Sequence, residues 1–142
     1  MKKVLVVDDD PAVARLIGAA LEQTDVAHTL DYCSDGGQGR IKAVAGGYDL
    51  ITLDLAMPLM GGMEALEELK RNPKSARIPV VVVTALQGRD LHEQAKALGA
   101  TAVVTKPFEL WELVDIFRLV FAGDKLRPRD ATDSDLGPLA GT

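Results

Sequence analysis

The sequence predicts an α/β fold in which helices cover both faces of a doubly wound, five-stranded parallel sheet. Five short apolar runs alternate along the 142 residues with five segments whose apolar residues recur at helical spacing. Only 4% of the residues are aromatic, and Val, Leu, Ala and Ile supply most of the apolar content, which suits strands covered by helices. Parallel strands joined by right-handed helical connections then form one sheet in one domain.

The first two strands and helices are recognised by how they end. The apolar run Lys3–Val7 stops at three consecutive aspartates, and Pro11 suits the first turn of a helix that has an aspartate as its N-cap. The helix over 12–21 keeps its apolar residues on one face. Val26–Cys33 is predicted as a weaker strand, and the next helix ends at Gly46-Gly47, a typical C-terminal stop.

The third and fourth predicted strands are strongly apolar. Tyr48–Leu53 leads into Asp54, and Pro58 prevents continuation because proline has no backbone N–H. A one-faced helix follows and ends at Asn72-Pro73, and Ile78–Val83 is then apolar throughout. Such runs indicate burial on both faces, so the first, third and fourth strands are predicted to be central, with the second and fifth at the edges.

The last part of the chain repeats the alternation once more. A helix over Arg89–Leu98 closes on Gly99, and Thr101–Thr105 is predicted as the fifth strand. The final helix, Glu109–Phe121, has a single apolar face. Because the periodicity disappears after it, we predict a domain over 1–122 and a disordered tail or the start of a linker over 123–142.

Composition limits the classes of function. The formal net charge of -5 argues against direct binding to nucleic acid, which depends on clustered lysine and arginine. A single cysteine, Cys33, excludes an internal disulfide and fits a reducing compartment. The apolar runs are too short to span a bilayer, and no basic-then-apolar leader follows Met1. We therefore expect a cytoplasmic protein without membrane insertion.

Each strand predicted to be central ends in a side chain suited to phosphate or a hard cation. The first strand supplies Asp8 and Asp9, the third Asp54 and the fourth Thr84. The neighbouring fifth strand supplies Lys106. These side chains are expected to gather because parallel strands place their carboxyl ends at one edge. Three converging carboxylates repel one another unless a divalent cation compensates them, and Mg²⁺ prefers such oxygen ligands. The two histidines are predicted to be unrelated, and there is no Cys/His cluster for zinc.

Asp54 alone could equally be a cap for the next helix, and the other four side chains favour a chemical role. An aspartate carboxylate is ionised at neutral pH and can act as a nucleophile that forms an aspartyl phosphate. Phosphoryl transfer needs mainly alignment and positive charge, which Mg²⁺ and Lys106 would supply. The Thr84 hydroxyl could donate to a phosphoryl oxygen.

These residues resemble the motifs of response-regulator receiver domains, in order and spacing, from Met1 to about Ala122. The motifs are Asp8-Asp9, Asp54 with Met57-Pro58 and Gly62, Thr84-Ala85, and Lys106-Pro107-Phe108. The resemblance implies a flavodoxin-like (βα)5 fold with the strand order 2-1-3-4-5. It makes Asp54 the phosphoacceptor, Thr84 the switch hydroxyl and Lys106 the phosphate-pairing cation. It further implies a cis peptide bond before Pro107 and these Mg²⁺ ligands: Asp8, Asp9, Asp54 and the backbone carbonyl of Ala56.

The resemblance implies a two-component signalling function rather than an enzyme acting on a separate substrate. A sensor histidine kinase or phosphotransfer protein would donate the phosphoryl group, and an unknown downstream protein effector would bind the changed surface. We expect a monomer or weak dimer, because the charged strip by which one receiver subclass dimerises is not evident.

One departure from the family pattern concerns switching. Val103 stands three residues before Lys106, where many receivers carry a tyrosine or phenylalanine. Valine has no ring to relocate, so we predict that signalling relies on backbone shifts around Thr84 and the following helix.

Two alternatives come from other functional classes. A pseudo-receiver would bind partners without phosphorylation, although the complete set of five site residues argues against it. A haloacid-dehalogenase-like phosphatase would need a second acid two residues after the nucleophile, where this chain has Ala56.

Overall fold

The computed structural model describes residues 1–57 and 60–123, in which five strands alternate with five helices. The strands are β1 (Lys2–Val7), β2 (His28–Cys33), β3 (Leu50–Leu53), β4 (Val80–Thr84) and β5 (Ala102–Thr105). The helices are α1 (Pro11–Gln23), α2 (Gly36–Gly46), α3 (Gly62–Arg71), α4 (Arg89–Ala97) and α5 (Leu110–Phe121). The predicted tail or linker lies outside the described residues, apart from Gly123.

The five strands form one parallel sheet in the order β2-β1-β3-β4-β5. The predicted fold class, strand order and edge strands are therefore confirmed. The central strands carry almost no exposed side chains: Val4 to Val7, Leu50 to Leu53 and Val80 to Thr84 are all buried. Burial on both faces explains why these runs are apolar without alternation.

Alternate residues of each central strand enter two separate cores. On one face, Val4 and Val6 pack with side chains of α1 and α5, including Ile17 and Phe117. On the other face, Leu5 joins a cluster formed with α2, α3 and α4. Complete burial of one such side chain contributes about 1.5–3 kcal/mol, so the two cores hold the sheet and its helices in a fixed relation.

Three strands, β2, β3 and β4, begin two residues later than predicted. The N–H of Val26 donates to Thr24 Oγ1 at 3.2 Å, and β2 begins only at His28. Tyr48 precedes β3 in the chain and is buried, and its hydroxyl donates to Asp31 Oδ2 at 2.6 Å. Apolar character thus extends to buried or partly buried residues that precede the paired part of each strand.

Local capping sets the path of the chain at the carboxyl edge of the sheet. Asp10 is the N-cap of α1, and its Oδ1 accepts a hydrogen bond from the Ala12 N–H at 2.9 Å. The helix then begins at Pro11, as predicted. Asp8 and Asp9 therefore lie between the end of β1 and the start of α1, at the edge of the sheet.

The helices within 1–57 and 60–123 are all too short or too polar to cross a membrane.

Candidate functional site

The two central strands β1 and β3 deliver Asp8 and Asp54 to neighbouring places at the carboxyl edge of the sheet. The hydrogen bonding of the sheet continues one residue past each strand. The Asp8 N–H donates to the Cys33 carbonyl, and the Asp54 N–H donates to the Val7 carbonyl, both at 3.0 Å. The backbones of both aspartates are therefore held by the sheet, although their side chains lie beyond it.

Lys106 joins the two buried aspartates. Its Nζ lies 2.9 Å from Asp8 Oδ2 and 3.3 Å from Asp54 Oδ2. The second oxygen of each carboxylate accepts a backbone N–H two residues further on, from Asp10 at 2.9 Å and from Ala56 at 3.0 Å. Each carboxylate is thus fixed by one backbone donor and one ammonium, which leaves little freedom of rotation.

Asp9 completes an acidic cluster. One carboxylate oxygen from each of Asp8, Asp9 and Asp54 lies within 4.8 Å of the others. Asp8 and Asp54 are only 2% and 4% exposed, whereas Asp9 is exposed. Three ionised carboxylates outnumber the single Lys106 ammonium by two charges. The donors are all hard oxygen atoms, so the residues present fit Mg²⁺.

Burial changes the ionisation of this cluster. Burial raises the pKa of Asp8 above its ordinary value of 3.8, and the hydrogen bond and charge of Lys106 only partly offset this effect. For Lys106 itself burial alone would lower the pKa, but the Asp8 hydrogen bond and the charges of Asp8 and Asp54 outweigh it and raise the pKa. Lys106 therefore stays positively charged, whereas the ionised form of Asp8 would be stabilised by further positive charge.

Thr84 ends β4 and is completely buried. Its carbonyl accepts a hydrogen bond from the Lys106 N–H at 2.8 Å, which ties the two chain segments together. Its hydroxyl oxygen accepts the N–H of Leu86 at 3.2 Å. The Thr84 side chain thus contacts the start of the loop that leads to α4.

The five predicted side chains all lie at the same edge of the sheet. Asp8, Asp54 and Lys106 are in direct contact, Asp9 belongs to the acidic cluster, and Thr84 adjoins Lys106 through the backbone. Ala56 is exposed next to the cluster, and the role of its carbonyl as a ligand stays a prediction. The peptide bond between Lys106 and Pro107 is cis.

The sequence did not predict one contact near the site, between α4 and the loop after β4. The Nε2 of His92, on α4, lies 3.2 Å from the carbonyl oxygen of Leu86. The sequence signal was slight, because a histidine eight residues after Thr84 matches no metal or catalytic spacing.

A parallel 2-1-3-4-5 sheet with three aspartates and a lysine at its carboxyl edge defines the class of CheY-like α/β domains. The family model of the response regulator receiver domain matches residues 4–118, and the chain belongs to this family. It is 33% identical over 142 residues to the DNA-binding dual master transcriptional regulator RpaA of Synechocystis sp., covering 98% of this chain and 58% of that protein. It is 39% identical over 109 residues to the chemotaxis protein CheY of Treponema pallidum, covering 75% of this chain and 74% of that protein.

A solved receiver domain with a bound metal is also similar. It comes from the sensor histidine kinase PA1611 of Pseudomonas aeruginosa PAO1 and has a magnesium ion coordinated in its active site cleft. The TM-score is 0.71 at 26% sequence identity, covering 82% of this chain and 94% of that one. Receiver domains bind Mg²⁺ at their acidic site, and the predicted cofactor is confirmed. The chain spans only 58% of the length of RpaA and 31% of that of response regulator PleD of Caulobacter vibrioides.

Stabilisation by Mg²⁺ is expected to increase with pH. The folded protein holds the Asp8 proton more tightly than the unfolded chain does, because its pKa is raised above 3.8. This contribution to stability is fully present below 3.8 and is lost as the pH rises through the raised value. Mg²⁺ competes with that proton, so the ion should stabilise the protein most where Asp8 must ionise.

The measurement is the thermal midpoint with Mg²⁺ and with a chelator, at pH 5 and pH 7.5, for the wild type and Asp8→Asn. At ten times its Kd, a bound ion contributes about 1.4 kcal/mol. The Mg²⁺-induced increase should be larger at pH 7.5 in the wild type and much smaller in Asp8→Asn. An increase of equal size in both proteins at both pH values would contradict the expectation.

Proposed function

We propose that this chain is a phosphorylation switch in which Asp54 accepts a phosphoryl group from a phosphohistidine. The donor would be a sensor histidine kinase or a phosphotransfer protein. One Asp54 carboxylate oxygen attacks the phosphorus, an O–P bond forms, and the P–N bond breaks with its electron pair returning to the imidazole. The observation that carries this proposal is Lys106 Nζ, which contacts both Asp54 and the neighbouring Asp8.

The residues around Asp54 have complementary roles in this proposal. Lys106 keeps its positive charge and balances the charge on the phosphoryl oxygens. The hydrogen bond from the Ala56 N–H orients the Asp54 carboxylate. The Thr84 hydroxyl is the donor for a phosphoryl oxygen. Mg²⁺, held by Asp8, Asp9, Asp54 and the Ala56 carbonyl, supplies further positive charge when bound.

We propose that the phosphorylated domain presents a changed surface to a downstream protein effector, as a monomer or weak dimer in the cytoplasm. Direct binding to nucleic acid by this domain is not part of the proposal, because its net charge is -5. The DNA-binding activity named for RpaA concerns a longer protein, of which this chain spans 58%. Apart from forming and losing its own acyl phosphate, the domain carries out no catalysis in this scheme.

The test uses acetyl phosphate with Mg²⁺, because a small donor needs no cognate kinase. Intact-protein mass spectrometry should show one added phosphate on the wild type and none on Asp54→Asn. Asp35→Asn is a matched control, since Asp35 also follows a strand and its Oδ1 caps Gln38 N–H at 2.8 Å. Asparagine is also a good N-cap, so this variant should fold and be phosphorylated.

Two results would count against the proposal. Phosphate on Asp54→Asn would place the acceptor elsewhere. Absence of phosphate on the wild type, with a histidine kinase donor as well as acetyl phosphate, would favour the pseudo-receiver instead.

A further inference from the structure

The loop over 85–88 connects the proposed phosphate site to α4. Its four residues are exposed. At its end, Gly88 has φ 120° and ψ 127°, a backbone conformation that residues with a Cβ rarely adopt. Within 1–57 and 60–123, only two side chains donate or accept hydrogen bonds with this loop, and both contact Leu86. Leu86 is therefore the point at which side chains hold the loop.

The two contacts involve the two peptide groups on either side of the Leu86 Cα atom. The N–H of Leu86 donates to Thr84 Oγ1 at 3.2 Å, and its carbonyl lies 3.2 Å from His92 Nε2. A carbonyl oxygen only accepts hydrogen bonds, so His92 Nε2 must carry the proton. The two peptide groups of Leu86 share its φ and ψ angles. Reorienting the first group therefore disturbs the hydrogen bond made by the second.

Recruitment of Thr84 to a phosphoryl group would disturb this arrangement. A Thr84 hydroxyl that turns toward a phosphoryl oxygen keeps its bond with the Leu86 N–H only if the loop follows it. The loop can follow only by moving the Leu86 carbonyl with respect to His92, which lies in the first turn of α4. The His92 contact thus belongs to the conformation without phosphate.

We propose that His92 is a positioning residue that holds the 85–88 loop in the unphosphorylated conformation and so opposes phosphoryl binding. This inference rests on the proposed function, in which Thr84 donates to the phosphoryl group. A contact made in only one of two states biases the equilibrium toward that state. Removing the His92 contact should therefore favour the state that binds phosphate.

The experiment measures the Kd of beryllofluoride, a phosphoryl mimic, in the presence of Mg²⁺. Because the His92 contact is a single exposed hydrogen bond, His92→Ala should bind the mimic about two- to threefold more tightly than the wild type. His92→Gln can donate its amide N–H to the same carbonyl and should restore the wild-type Kd. Gln94→Ala, at an exposed position of the same helix, controls for changes in helix propensity and should also keep the wild-type value.

A second measurement follows the conformation of the 85–88 loop by NMR. In His92→Ala without the mimic, the amide NMR signal of Leu86 should shift toward its position in the wild type with beryllofluoride. The same signal should stay unshifted in His92→Gln.

The outcomes separate the two proposals. If the wild type binds beryllofluoride and His92→Ala has the same Kd, or if His92→Gln matches His92→Ala, the role of His92 is wrong and the phosphorylation switch stands. If the wild type neither binds beryllofluoride nor is phosphorylated by acetyl phosphate, the proposed function is wrong and the role of His92 is overturned with it.

Discussion

Replacing Lys106 with methionine is expected to lower the rate of Asp54 phosphorylation by about 100-fold, the usual effect of removing one preorganised charge donor from a reacting oxyanion. Methionine keeps much of the length of the side chain and removes its charge. The Asp8 and Asp54 oxygens that now lie 2.9 Å and 3.3 Å from Nζ would lose their ammonium partner. The metal-free variant should also lose about 1–3 kcal/mol of stability, because two buried acceptors become unsatisfied. Rates with acetyl phosphate and urea unfolding measure the two effects.

Lys70→Met separates a loss of charge at the site from a general loss of a partly buried lysine. Lys70 Nζ donates to the Ala76 and Ile78 carbonyls at 3.2 Å and 2.7 Å, near the start of β4 and away from the acidic cluster. Burial lowers the pKa of Lys70, whereas that of Lys106 is raised. Lys70→Met should be less stable and phosphorylated at the wild-type rate. Equal rates in Lys106→Met and Lys70→Met would show that Lys106 has no role in the chemistry.

Gly62→Ala is expected to destabilise the protein by about 3 kcal/mol, at the upper end of the usual cost of overpacking. Gly62 is buried at the start of α3, where its N–H donates to the Leu55 carbonyl at 3.2 Å. A Cβ at this position would overlap the carbonyl oxygen of Asp54 and the Cα of Leu55. Both are backbone atoms directly after the end of β3. The substitution should therefore displace Asp54 as well as weaken the fold.

The adjacent Gly61→Ala is the matched control for this glycine. Gly61 has φ -65°, and a Cβ there would have no atom of residues 1–57 and 60–123 within 4 Å. Its replacement should change the stability by less than about 1 kcal/mol, because the restriction of the unfolded chain by alanine opposes the loss of glycine as the N-cap of α3. Urea unfolding of the two variants under identical conditions measures the difference. Equal stabilities would refute the close approach of Gly62 to the Asp54 backbone.

Hydrophobic pattern was sufficient for the order and type of the secondary structure. Apolar runs and one-faced stripes are local properties, and every predicted strand and helix is present in the predicted order. The strands β2, β3 and β4 begin two residues later than predicted. Val26 and Tyr48 are apolar, but the N–H of Val26 and the hydroxyl of Tyr48 bond to side chains outside the pairing of the sheet. Pattern records burial, whereas strand ends depend on which backbone groups are paired.

The sequence by itself determined which residues reach the carboxyl edge of the sheet, because strand direction and strand ends follow from local pattern and turn residues. Only the tertiary structure decided which atoms meet there. Lys106 and Asp8 are 98 positions apart, and their contact requires the complete sheet. The hydrogen bond between His92 and Leu86 likewise depends on how α4 packs after its loop. Side-chain contacts of this kind depend on distances that no local pattern contains.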